Sequence, residues 1–465
     1  MKRISLENII RAVDGQLIGQ ITSLDGYVKR VVTDSRSVQS GDLYIAIVGE
    51  RFDGHDFLQQ AFESGALVAL TSKETLGLAG CTIKVDDTRL ALGKLAAYYR
   101  SLFDLPVIGI TGSVGKTSTK EMMASILEQK YRVHKTSGNF NNDIGLPLTL
   151  LGLEDEYDVA VVELGMNHFG EIDYLGNILK PTIGIIANIG VSHIEFLGSR
   201  EGILKAKCEM IPHISSKGCL ILNGDDQRLR SVKDTNGIKT LYYGQEERFD
   251  CTMVNHHLID QGQKITVSTK TAIYAFEVAY PGAHILHNAL ACILVAEELG
   301  LSKEAIIRGI KSYTPAGMRL NTYTLKEGIT LIDDAYNASV ESMESGLKTL
   351  RDMTLEDKQR VAVLGSMFEM GDYARQGHLD VGALTVKYGV DQLLTVGKEA
   401  KWINEGALKA GMPKAMVDHF DEQKALIEAL GRFNLEKSVI LLKGSRGMHL
   451  EKTRDYLIES FEEVQ

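Results

Sequence analysis

The chain has 465 residues, of which 44% are hydrophobic and 24% are charged, and its formal net charge is −10. This length and composition predict a soluble protein with a sizeable core and roughly three domains. The acidic charge argues against a nucleic-acid partner, which a basic surface would attract, although local lysines and backbone N–H groups still allow an anionic small molecule.

The cysteines and the N-terminus indicate where the protein works. Five cysteines are scattered without paired spacing, which suits a reducing compartment and disfavours a disulfide framework or a zinc cluster. The first residues, "MKRISLENIIRAVDG", lack the apolar segment of a signal peptide, and no stretch is apolar over the length of a membrane span. We therefore expect a cytoplasmic protein without a membrane partner.

The first hundred residues mix strand-like runs with helical segments. The runs "RVVTDSR", "DLYIAIVG" and "ALVALTS" favour short strands, and "DTRLALGKLAAYYRSLF" predicts a helix with Thr88 as its N-cap. The apolar residues of that helix recur every three or four positions, at Leu92, Leu95, Ala96, Tyr99 and Leu102. Because this helix leads to Pro106, we predict a first domain over residues 1–104.

The next two hundred residues alternate apolar runs with helical stretches. The runs "PVIGITG", "YDVAVVELGM", "PTIGIIANIG" and "GCLILNGDD" indicate a parallel sheet covered on both faces. The segment "HILHNALACILVAEELGLS" predicts a long helix that stops at Gly300. These elements define a predicted middle domain over residues 105–313.

A second alternating set follows "SYTPAGMRL". The runs "ITLIDDAY", "QRVAVLGSM", "DQLLTVG" and "KSVILLKGSRG" predict a separate, smaller α/β domain over residues 314–465. The chain has only seven prolines and no low-complexity segment, so the joints between domains should be short. The last joint is expected near residues 314–317.

The segment "VIGITGSVGKTSTKEM" (107–122) has the features of a phosphate-binding loop between a strand and a helix. In such a loop the backbone N–H groups point at the anion, Lys116 reaches the phosphates and Thr117 binds Mg²⁺. The usual pattern has glycine where this chain has Ile110, so only Gly-x-x-Gly-Lys-Thr is present. The alternative is a glycine-rich turn with a surface lysine, but the predicted strand–loop–helix context, with a helix from near Ser118, favours nucleotide binding.

Other polar residues should meet the loop at one edge of the sheet. Glu163 and Asn188 end two predicted strands and His193 follows shortly after, and ligands bind outside the carboxyl ends of parallel strands. A glutamate suits Mg²⁺ whereas an imidazole is not its favoured ligand, and each residue alone fits a helix cap or a surface hydrogen bond. In "EGILKAKCEMI", spacing gives no reason to prefer Lys205 or Lys207 over a solvated lysine.

Taken together, these motifs resemble the Mur ligases, the ATP-dependent amide-forming enzymes of peptidoglycan precursor synthesis. The resemblance runs in order through "TGSVGKTSTKEM", "GNFNNDIGLPLTLL", "VVELGMNHFGEI", "NIGVSHIEFLGS", "AKCEM", "HNALAC", "DDAYNASVESM" and "LLKGSRGMHLE". The opening "TDSRSVQSGDLYIAIVGERFDGHDF" is similar to the family's uridine-nucleotide domain. The resemblance implies three α/β domains: a small N-terminal uridine-nucleotide domain, a central parallel-sheet P-loop ATPase domain and a C-terminal Rossmann-like domain.

Within the family, "GNFNNDIGLPLTLL", "ELGMNHFGEI" and "DDAYNASVESM" resemble the member that joins D-alanyl-D-alanine to UDP-N-acetylmuramoyl-tripeptide through an acyl phosphate. The sister enzyme that adds the third residue typically carries Asp-Asn-Pro-Arg, which this chain lacks. A folylpolyglutamate synthase would lack the uridine segment, and a nucleotide-gated binding protein would need no paired metal sites. The implied cofactors are ATP, two Mg²⁺ ions and a CO₂-derived carbamate on Lys207, and a monomer is expected.

The resemblance also assigns roles at the matching positions. It implies Lys116, Glu163, His193 and Lys207 as catalytic residues, and Thr117, Glu163, His193 and carbamylated Lys207 as Mg²⁺ ligands. It assigns nucleotide binding to Thr111, Gly112, Ser113, Val114, Gly115, Lys116, Thr117 and Ser118, with Asn288 and Asn337 near adenine and Arg319 and Asp334 near the ribose and phosphates. Alternatively, Asn288 only caps or packs a helix.

The same resemblance distributes the substrate contacts over three regions. They are Ser35, Arg36, Asp53 and His55 for the uridine nucleotide, Asn139, Asn141 and Asn142 for the muramoyl peptide, and Lys443, Ser445 and Arg446 closing from the last domain. Alternatively, "GERFDGHDF" is only a turn and "KGSRG" only a strand-to-helix loop. Because an acyl phosphate is hydrolysable, we predict that the C-terminal domain closes when ATP binds.

Overall fold

The computed structural model describes residues 1–19, 26–74, 80–233, 235–259, 262–280, 282–315, 317–354 and 357–464. Three main sheets with their helices, and a two-stranded sheet near the N-terminus, confirm the expected three α/β domains. Each sheet lies within one predicted segment, while the domain boundaries themselves stay predictions, and the expected joint at 314–317 includes a residue, 316, outside the described ranges. Among the described helices, none is both long and apolar enough to cross a bilayer.

The N-terminal domain is built on a small mixed sheet. Its elements are β1 (Ile4–Ser5), α1 (Leu6–Val13), β2 (Gln16–Ile18), β3 (Tyr27–Val28), β4 (Val31–Val32), β5 (Leu43–Ile45), α2 (Leu58–Glu63), β6 (Val68–Thr71), β7 (Thr82–Lys84) and α3 (Thr88–Arg100). The sheet order is β2-β7-β6-β5-β4, in which only β2 is antiparallel to its neighbour. The prediction of Thr88 as N-cap is wrong by one residue, because the Asp87 side chain accepts from the N–H groups of Arg89 and Leu90.

A nine-stranded sheet organises the middle domain. Its elements are β8 (Val107–Thr111), α4 (Lys116–Leu127), β9 (Val133–Lys135), α5 (Gly145–Leu151), β10 (Val159–Glu163), α6 (Glu171–Leu179), β11 (Ile183–Ile186), α7 (Ile194–Leu197), α8 (Arg200–Cys208), β12 (Cys219–Asn223), α9 (Gln227–Arg230), β13 (Lys239–Gly244), β14 (Cys251–Ile259), β15 (Gly262–Thr269), β16 (Ile273–Val278), α10 (Ala283–Glu298) and α11 (Lys303–Lys311). The order is β16-β15-β14-β13-β12-β11-β8-β10-β9.

The parallel sheet expected for this domain is present but carries an antiparallel extension that the sequence analysis did not predict. Strands β8 to β14 pair in parallel, whereas β14, β15 and β16 form an antiparallel meander at one end. In β16 exposed and buried residues alternate strictly, as in a sheet with one solvated face. By contrast, every residue of β8 and β10 is buried, so these strands are apolar runs without alternation.

The C-terminal domain is a second, smaller α/β unit. Its elements are β17 (Asn321–Thr324), β18 (Thr330–Asp333), α12 (Val340–Met353), β19 (Gln359–Gly365), α13 (Ala374–Lys387), β20 (Gln392–Val396), α14 (Lys401–Lys409), β21 (Val417–Phe420), α15 (Gln423–Leu430), β22 (Ser438–Lys443) and α16 (Glu451–Phe461). The order is β17-β18-β22-β19-β20-β21, and all pairs are parallel except β17 with β18.

The middle and C-terminal domains touch through the segment that follows β11. Val191 is buried in the apolar core of the C-terminal domain, and Ile194 packs against the same core. An ion pair of 2.9 Å joins Arg200 of α8 to Glu341 of α12. This contact places the carboxyl end of the middle sheet beside the start of α12, and the candidate site lies between them.

Candidate active site

The phosphate loop joins β8 to α4 with a turn that requires glycine. Gly115 has a φ of +83° and directly precedes α4, which begins at Lys116, two residues earlier than predicted. The first N–H groups of a helix have no intrahelical acceptor and carry partial positive charge. The start of α4 therefore presents donors suited to a phosphate, beside Thr117, whose side chain is nearly buried.

Asn188 holds this loop in place, a role that the sequence analysis missed. Its Oδ1 accepts from the N–H of Val114, and its Nδ2 donates to the carbonyl of Val114, both at 2.9 Å. Its backbone carbonyl also accepts from the N–H of Ser113, and the Ser113 hydroxyl accepts from the N–H of Gly190. The segment after β11 thus fixes the loop through both backbone and side-chain hydrogen bonds.

Lys116 lies at the centre of the site. Its Nζ donates to the carbonyl of Gly112 at 2.9 Å, so the ammonium folds back over the loop. Burial lowers the pKa of Lys116, and Arg319 lowers it further, while the nearby Glu163 carboxylate opposes both effects. The position over the loop is where a phosphate would compete with the Gly112 carbonyl for the same donor.

Glu163 is the last residue of β10 and is completely buried. Its Oε2 accepts from Nδ2 of Asn141 at 3.3 Å, whereas its Oε1, 3.7 Å from the ammonium of Lys120, has no hydrogen bond among the described residues. The Asn141 side chain fits only because residue 165 is glycine, since a Cβ there would lie 2.6 Å from Asn141 Oδ1. A buried carboxylate with one oxygen that has no hydrogen bond is suited to act as a ligand of a cation.

His193 lies where the two domains meet. It has a left-handed backbone (φ +64°) just before α7, and its Nδ1 is 2.7 Å from Oε2 of Glu369 in the C-terminal domain. Although this contact is close, Nδ1 makes no aligned hydrogen bond within the described residues. The imidazole holds the pKa of the Glu369 carboxyl below its usual value.

The structure distinguishes the two lysines of α8 that spacing left equivalent. Lys207 is buried, whereas Lys205 is exposed and lies over the ring of Phe169. Burial, reinforced by the charge of Lys116, lowers the pKa of Lys207 well below its usual value. Its ammonium has no hydrogen bond or ion pair among the described residues, so nothing there stabilises the protonated form.

A cavity of about 670 Å³ opens between the middle and C-terminal domains. It brings together predicted residues from both sides: Ser113, Val114, Gly115, Lys116, Thr117, Ser118, Asn139, Asn141, Glu163, His193, Asn288, Arg319, Asp334, Asn337 and Lys443. Thr111, Gly112 and Lys207 do not line it. The remaining non-lining predicted residues are Ser35, Arg36, Asp53, His55, Asn142, Ser445 and Arg446.

On the middle-domain side, Asn288 of α10 reaches the loop helix. Its Oδ1 accepts from the hydroxyl of Thr119 at 3.0 Å, while its buried Nδ2 has no partner among the described residues. Buried polar groups are nearly always hydrogen-bonded, so packing alone does not explain this unpaired amide donor on the cavity wall. It is a donor available to a bound ligand.

Lys443 organises the C-terminal wall. It is buried, and its Nζ lies 2.5 Å from Asp334 Oδ2 and also donates to the carbonyls of Asp334 and Asn337. The guanidinium of Arg319 stacks 4.2 Å from the ring centre of Tyr336, in the same loop. Lys443 therefore fastens the loop that presents Asp334 and Asn337 to the cavity.

Three predicted substrate residues outside the cavity have structural partners. The Asn142 side chain accepts from the N–H groups of Ile144 and Gly145, at the start of α5. The Ser445 hydroxyl accepts from the N–H of Phe368, and Arg446 is exposed beside Glu451. The contacts of Ser445 and Arg446 fit a strand-to-helix loop, and Asn142 caps the start of α5.

The predicted uridine-side residues form local networks in the N-terminal domain. Asp53 contacts Nδ1 of His55 at 2.6 Å and the ammonium of Lys73 at 2.5 Å, and Nε2 of His55 accepts from the N–H of Ser72. Asp53 also caps a short 3₁₀ helix, Gly54–Phe57. The contacts of the "FDGHDF" segment therefore fit a structured turn.

Two further predicted uridine-side residues lie next to each other after β4. The Ser35 hydroxyl donates to Gln60 Oε1, and Arg36 forms an exposed ion pair with Asp34. The guanidinium of Arg36 holds the pKa of Asp34 down at about 2. Arg36 is the more available of the two for an anionic ligand, because its side chain is largely in solvent.

The donor set fits a Mg²⁺ ion that is bound mainly through phosphate. Within the described ranges, no three His, Cys, Asp or Glu side chains converge as a preformed metal cluster. Mg²⁺ in proteins is commonly held by one or two carboxylates together with substrate phosphates and water. Glu163, with its unbonded oxygen, and the hydroxyl of Thr117 meet that requirement on the phosphate side of the cavity.

Fold and site together define a three-domain P-loop ligase, with a phosphate loop on one wall of the cavity and a second α/β domain on the other. Residues 27–100 match the Mur ligase family catalytic domain, residues 110–296 the Mur ligase middle domain, and residues 318–446 the Mur ligase glutamate ligase domain. The chain belongs to the Mur ligase family and is an ATP-dependent peptide ligase.

Full-length relatives are similar over almost the whole chain. UDP-N-acetylmuramoyl-tripeptide–D-alanyl-D-alanine ligase of Bacillus subtilis is 38% identical, covering 99% of this chain and 99% of the relative. The crystal structure of MurF from Acinetobacter baumannii matches with a TM-score of 0.90 at 33% identity, covering 99% of both chains. MurF of Thermotoga maritima, solved in complex with ADP, matches with a TM-score of 0.83 at 28% identity, covering 93% of this chain and 97% of that one.

Proposed function

We propose that this protein joins D-alanyl-D-alanine to the terminal carboxylate of UDP-N-acetylmuramoyl-tripeptide, yielding the UDP-N-acetylmuramoyl-pentapeptide precursor of peptidoglycan, ADP and phosphate. Its full-length similarity to ligases of that name supports the substrates. The observation that carries the chemistry is the single cavity that combines the phosphate loop, Glu163 and Lys443.

The ATP serves to activate a carboxylate, which is a poor electrophile because it has no good leaving group. The carboxylate oxygen attacks the γ-phosphorus of ATP, and the bond from that phosphorus to the β,γ-bridging oxygen breaks. ADP departs, and the carboxylate has become an acyl phosphate. The amine of D-alanyl-D-alanine then attacks the acyl carbon, and the tetrahedral intermediate collapses by expelling phosphate while the amine loses a proton. We assign no residue of this chain as the acceptor of that proton.

The protein contributes mainly position and charge in such a reaction. Lys116 would exchange the Gly112 carbonyl for the phosphates of ATP, and the start of α4 would supply N–H donors. We assign Asn288 and Asn337 to the adenine side, and Arg319 and Asp334 to the ribose and phosphates. The unpaired Nδ2 of Asn288 supports its assignment.

The remaining substrate assignments follow the family motifs. We propose Asn139 and Asn141 for the muramoyl peptide, which the exposed position of Asn139 at the cavity supports. For the uridine nucleotide we propose Arg36, supported by its solvent exposure. The roles proposed for Ser35, Asp53, His55, Asn142, Lys443, Ser445 and Arg446 then depend on rearrangement or backbone contact, since their side chains have protein partners here.

We further propose that Thr117, Glu163 and His193, with a carbamylated Lys207, hold two Mg²⁺ ions. When bound, the ions would neutralise charge on the phosphoryl group. Carbamylation needs a neutral amine, which adds to CO₂ and releases a proton to give an N-carboxylate. The lowered pKa of Lys207 favours the neutral amine that this step requires.

Carbamylation is tested by ¹³C NMR of the protein in ¹³C-bicarbonate. A carbamate resonance should appear in the wild type and in Lys205→Ala, which removes the exposed lysine of the same helix, and should vanish in Lys207→Ala. A resonance that survives in Lys207→Ala would assign the carbamate to another lysine.

The function is tested by measuring phosphate release from ATP with each substrate alone and with both together. Release that requires both, with the pentapeptide identified by mass, is expected. Phosphate release stimulated by a muramoyl-dipeptide precursor together with a diamino acid would instead identify the sister ligase. Slow phosphate release that no substrate affects would identify a nucleotide-gated binding protein. Lys116→Met serves as the control without ATP turnover.

We expect a cytoplasmic monomer: none of the five cysteines, all of which lie in the described ranges, forms a disulfide, and this suits a reducing compartment. Light scattering coupled to size-exclusion chromatography, with and without ATP, checks the oligomeric state. A mass of two chains at micromolar concentration would contradict a monomer.

A further inference from the structure

His193 and Glu369 form a contact between domains that the reaction scheme above does not use. His193 belongs to the middle domain and lines the cavity, whereas Glu369 belongs to the C-terminal domain and does not. The 2.7 Å between Nδ1 and Oε2 lies within hydrogen-bond range, although the two groups are not aligned as a hydrogen bond in this structure. The contact exists only while the two domains are docked.

We propose that Glu369 is a positioning residue that orients His193 toward the bound cation, so that the cation site is completed only when the C-terminal domain docks. The inference rests on the metal role proposed above for His193. A histidine whose Nδ1–H donates a hydrogen bond to a carboxylate is fixed in the tautomer whose Nε2 lone pair can bind a metal.

The backbone on both sides of the contact is held in an uncommon conformation. His193 has φ +64° and Glu369 has φ +60°, although neither is glycine. Such a backbone is strained for a residue with a side chain and persists where the surrounding structure imposes it. Two such residues whose side chains meet across an interface indicate that the contact is specifically built.

The loop that carries Glu369 is anchored rather than free. The N–H of Met367 donates to Nε2 of the buried His378 at 3.0 Å, and the N–H of Phe368 donates to the Ser445 hydroxyl at 2.9 Å. Met367 is fully buried beneath the loop. A fixed segment therefore presents the Glu369 carboxylate. Ser445 has a structural role there, because its hydroxyl holds the loop that carries Glu369.

Trp402 provides a readout that does not depend on catalysis. It is the only tryptophan in the chain, and its ring meets the edge of His378, with centroids 5.9 Å apart. Because His378 anchors the Glu369 loop, rearrangement of that loop should change the fluorescence of Trp402. Small-angle scattering reports domain docking independently.

The experiment titrates Mg²⁺ in the presence of a non-hydrolysable ATP analogue and records both signals. We expect Glu369→Gln to raise the Mg²⁺ concentration at half-maximal change about tenfold or more, as loss of a carboxylate partner does at other metal-bound histidines. Glu369→Asp should fall between Glu369→Gln and wild type. Asp372→Asn, which removes an exposed charge from the same segment, should behave as wild type.

His193→Ala separates the inference from the proposed function. If His193→Ala raises the Mg²⁺ midpoint and Glu369→Gln does not, the positioning role is wrong and the metal role stands. If His193→Ala leaves the midpoint unchanged, both are wrong. A Glu369→Gln variant with a lower melting temperature but an unchanged Mg²⁺ midpoint, or a wild type without any Mg²⁺-dependent change, also overturns the inference.

Discussion

Replacing Asn188 with alanine should loosen the phosphate loop, although the residues of the loop itself stay unchanged. The substitution removes two hydrogen bonds of 2.9 Å to the Val114 backbone. At about 1 kcal/mol for each bond, the loop loses about 2 kcal/mol of positioning energy, which corresponds to about a 30-fold weaker affinity for ATP. Asn188→Asp should weaken binding further, because a carboxylate oxygen would face the Val114 carbonyl and add negative charge beside the phosphates.

The assay is the dissociation constant of Mg-ADP by titration calorimetry, together with the KM for ATP and kcat. Asn177→Ala is the matched control, since Asn177 is exposed on α6 of the same domain. The affinity should fall for both Asn188 variants and stay unchanged for the control. An Asn188→Ala variant with wild-type affinity and KM would refute the reasoning, since the loop would then hold its shape without these bonds.

Three further changes test other parts of the site. Gly165→Ala should displace Asn141, whose Oδ1 would lie 2.6 Å from the new Cβ, and lower kcat at least about tenfold with little change in melting temperature. Lys443→Met should destabilise the protein by about 2–3 kcal/mol in urea unfolding, because Asp334 loses its buried partner. Burial lowers the pKa of His378 below 6.5, so the unfolded chain binds that proton more readily, and stability should fall as pH decreases below 6.5. His378→Asn should flatten this dependence between pH 7.5 and pH 5.5.

The placement of Glu163 illustrates what a sequence can predict about such a site. A fully buried parallel strand leaves an apolar run in the sequence, and the first polar residue after it marks the carboxyl end of the strand. Strands β10 and β8 are parallel neighbours, and Glu163 pairs with Ile110 near the end of β8. Glu163 and the phosphate loop therefore lie at the same edge of the sheet, as expected. The functional roles of these residues stay predictions.

Other features depend on contacts that no local pattern records. Lys205 and Lys207 have the same chemistry and lie two residues apart on one helix, and only the packing of α8 buries one of them. The hydrogen bonds of Asn188 join positions more than seventy residues apart. The antiparallel strands β15 and β16 follow a parallel set, and only β16 alternates strictly between exposed and buried residues, so a local pattern marks this extension weakly.

The charges at the site argue for a modified Lys207 more strongly than the motif does. Desolvation lowers the pKa of both Lys116 and Lys207, and the positive charge of Lys116 lowers the pKa of Lys207 further. The Glu163 carboxylate acts on Lys116, and the Lys120 ammonium lies 3.7 Å from Glu163 Oε1, so an unmodified Lys207 adds no negative charge that would attract a divalent cation. Converting Lys207 to a carbamate replaces a latent positive charge by a negative one. The carbamate would add a second carboxylate to the one that Glu163 supplies, and this would favour a divalent cation beside the phosphate loop.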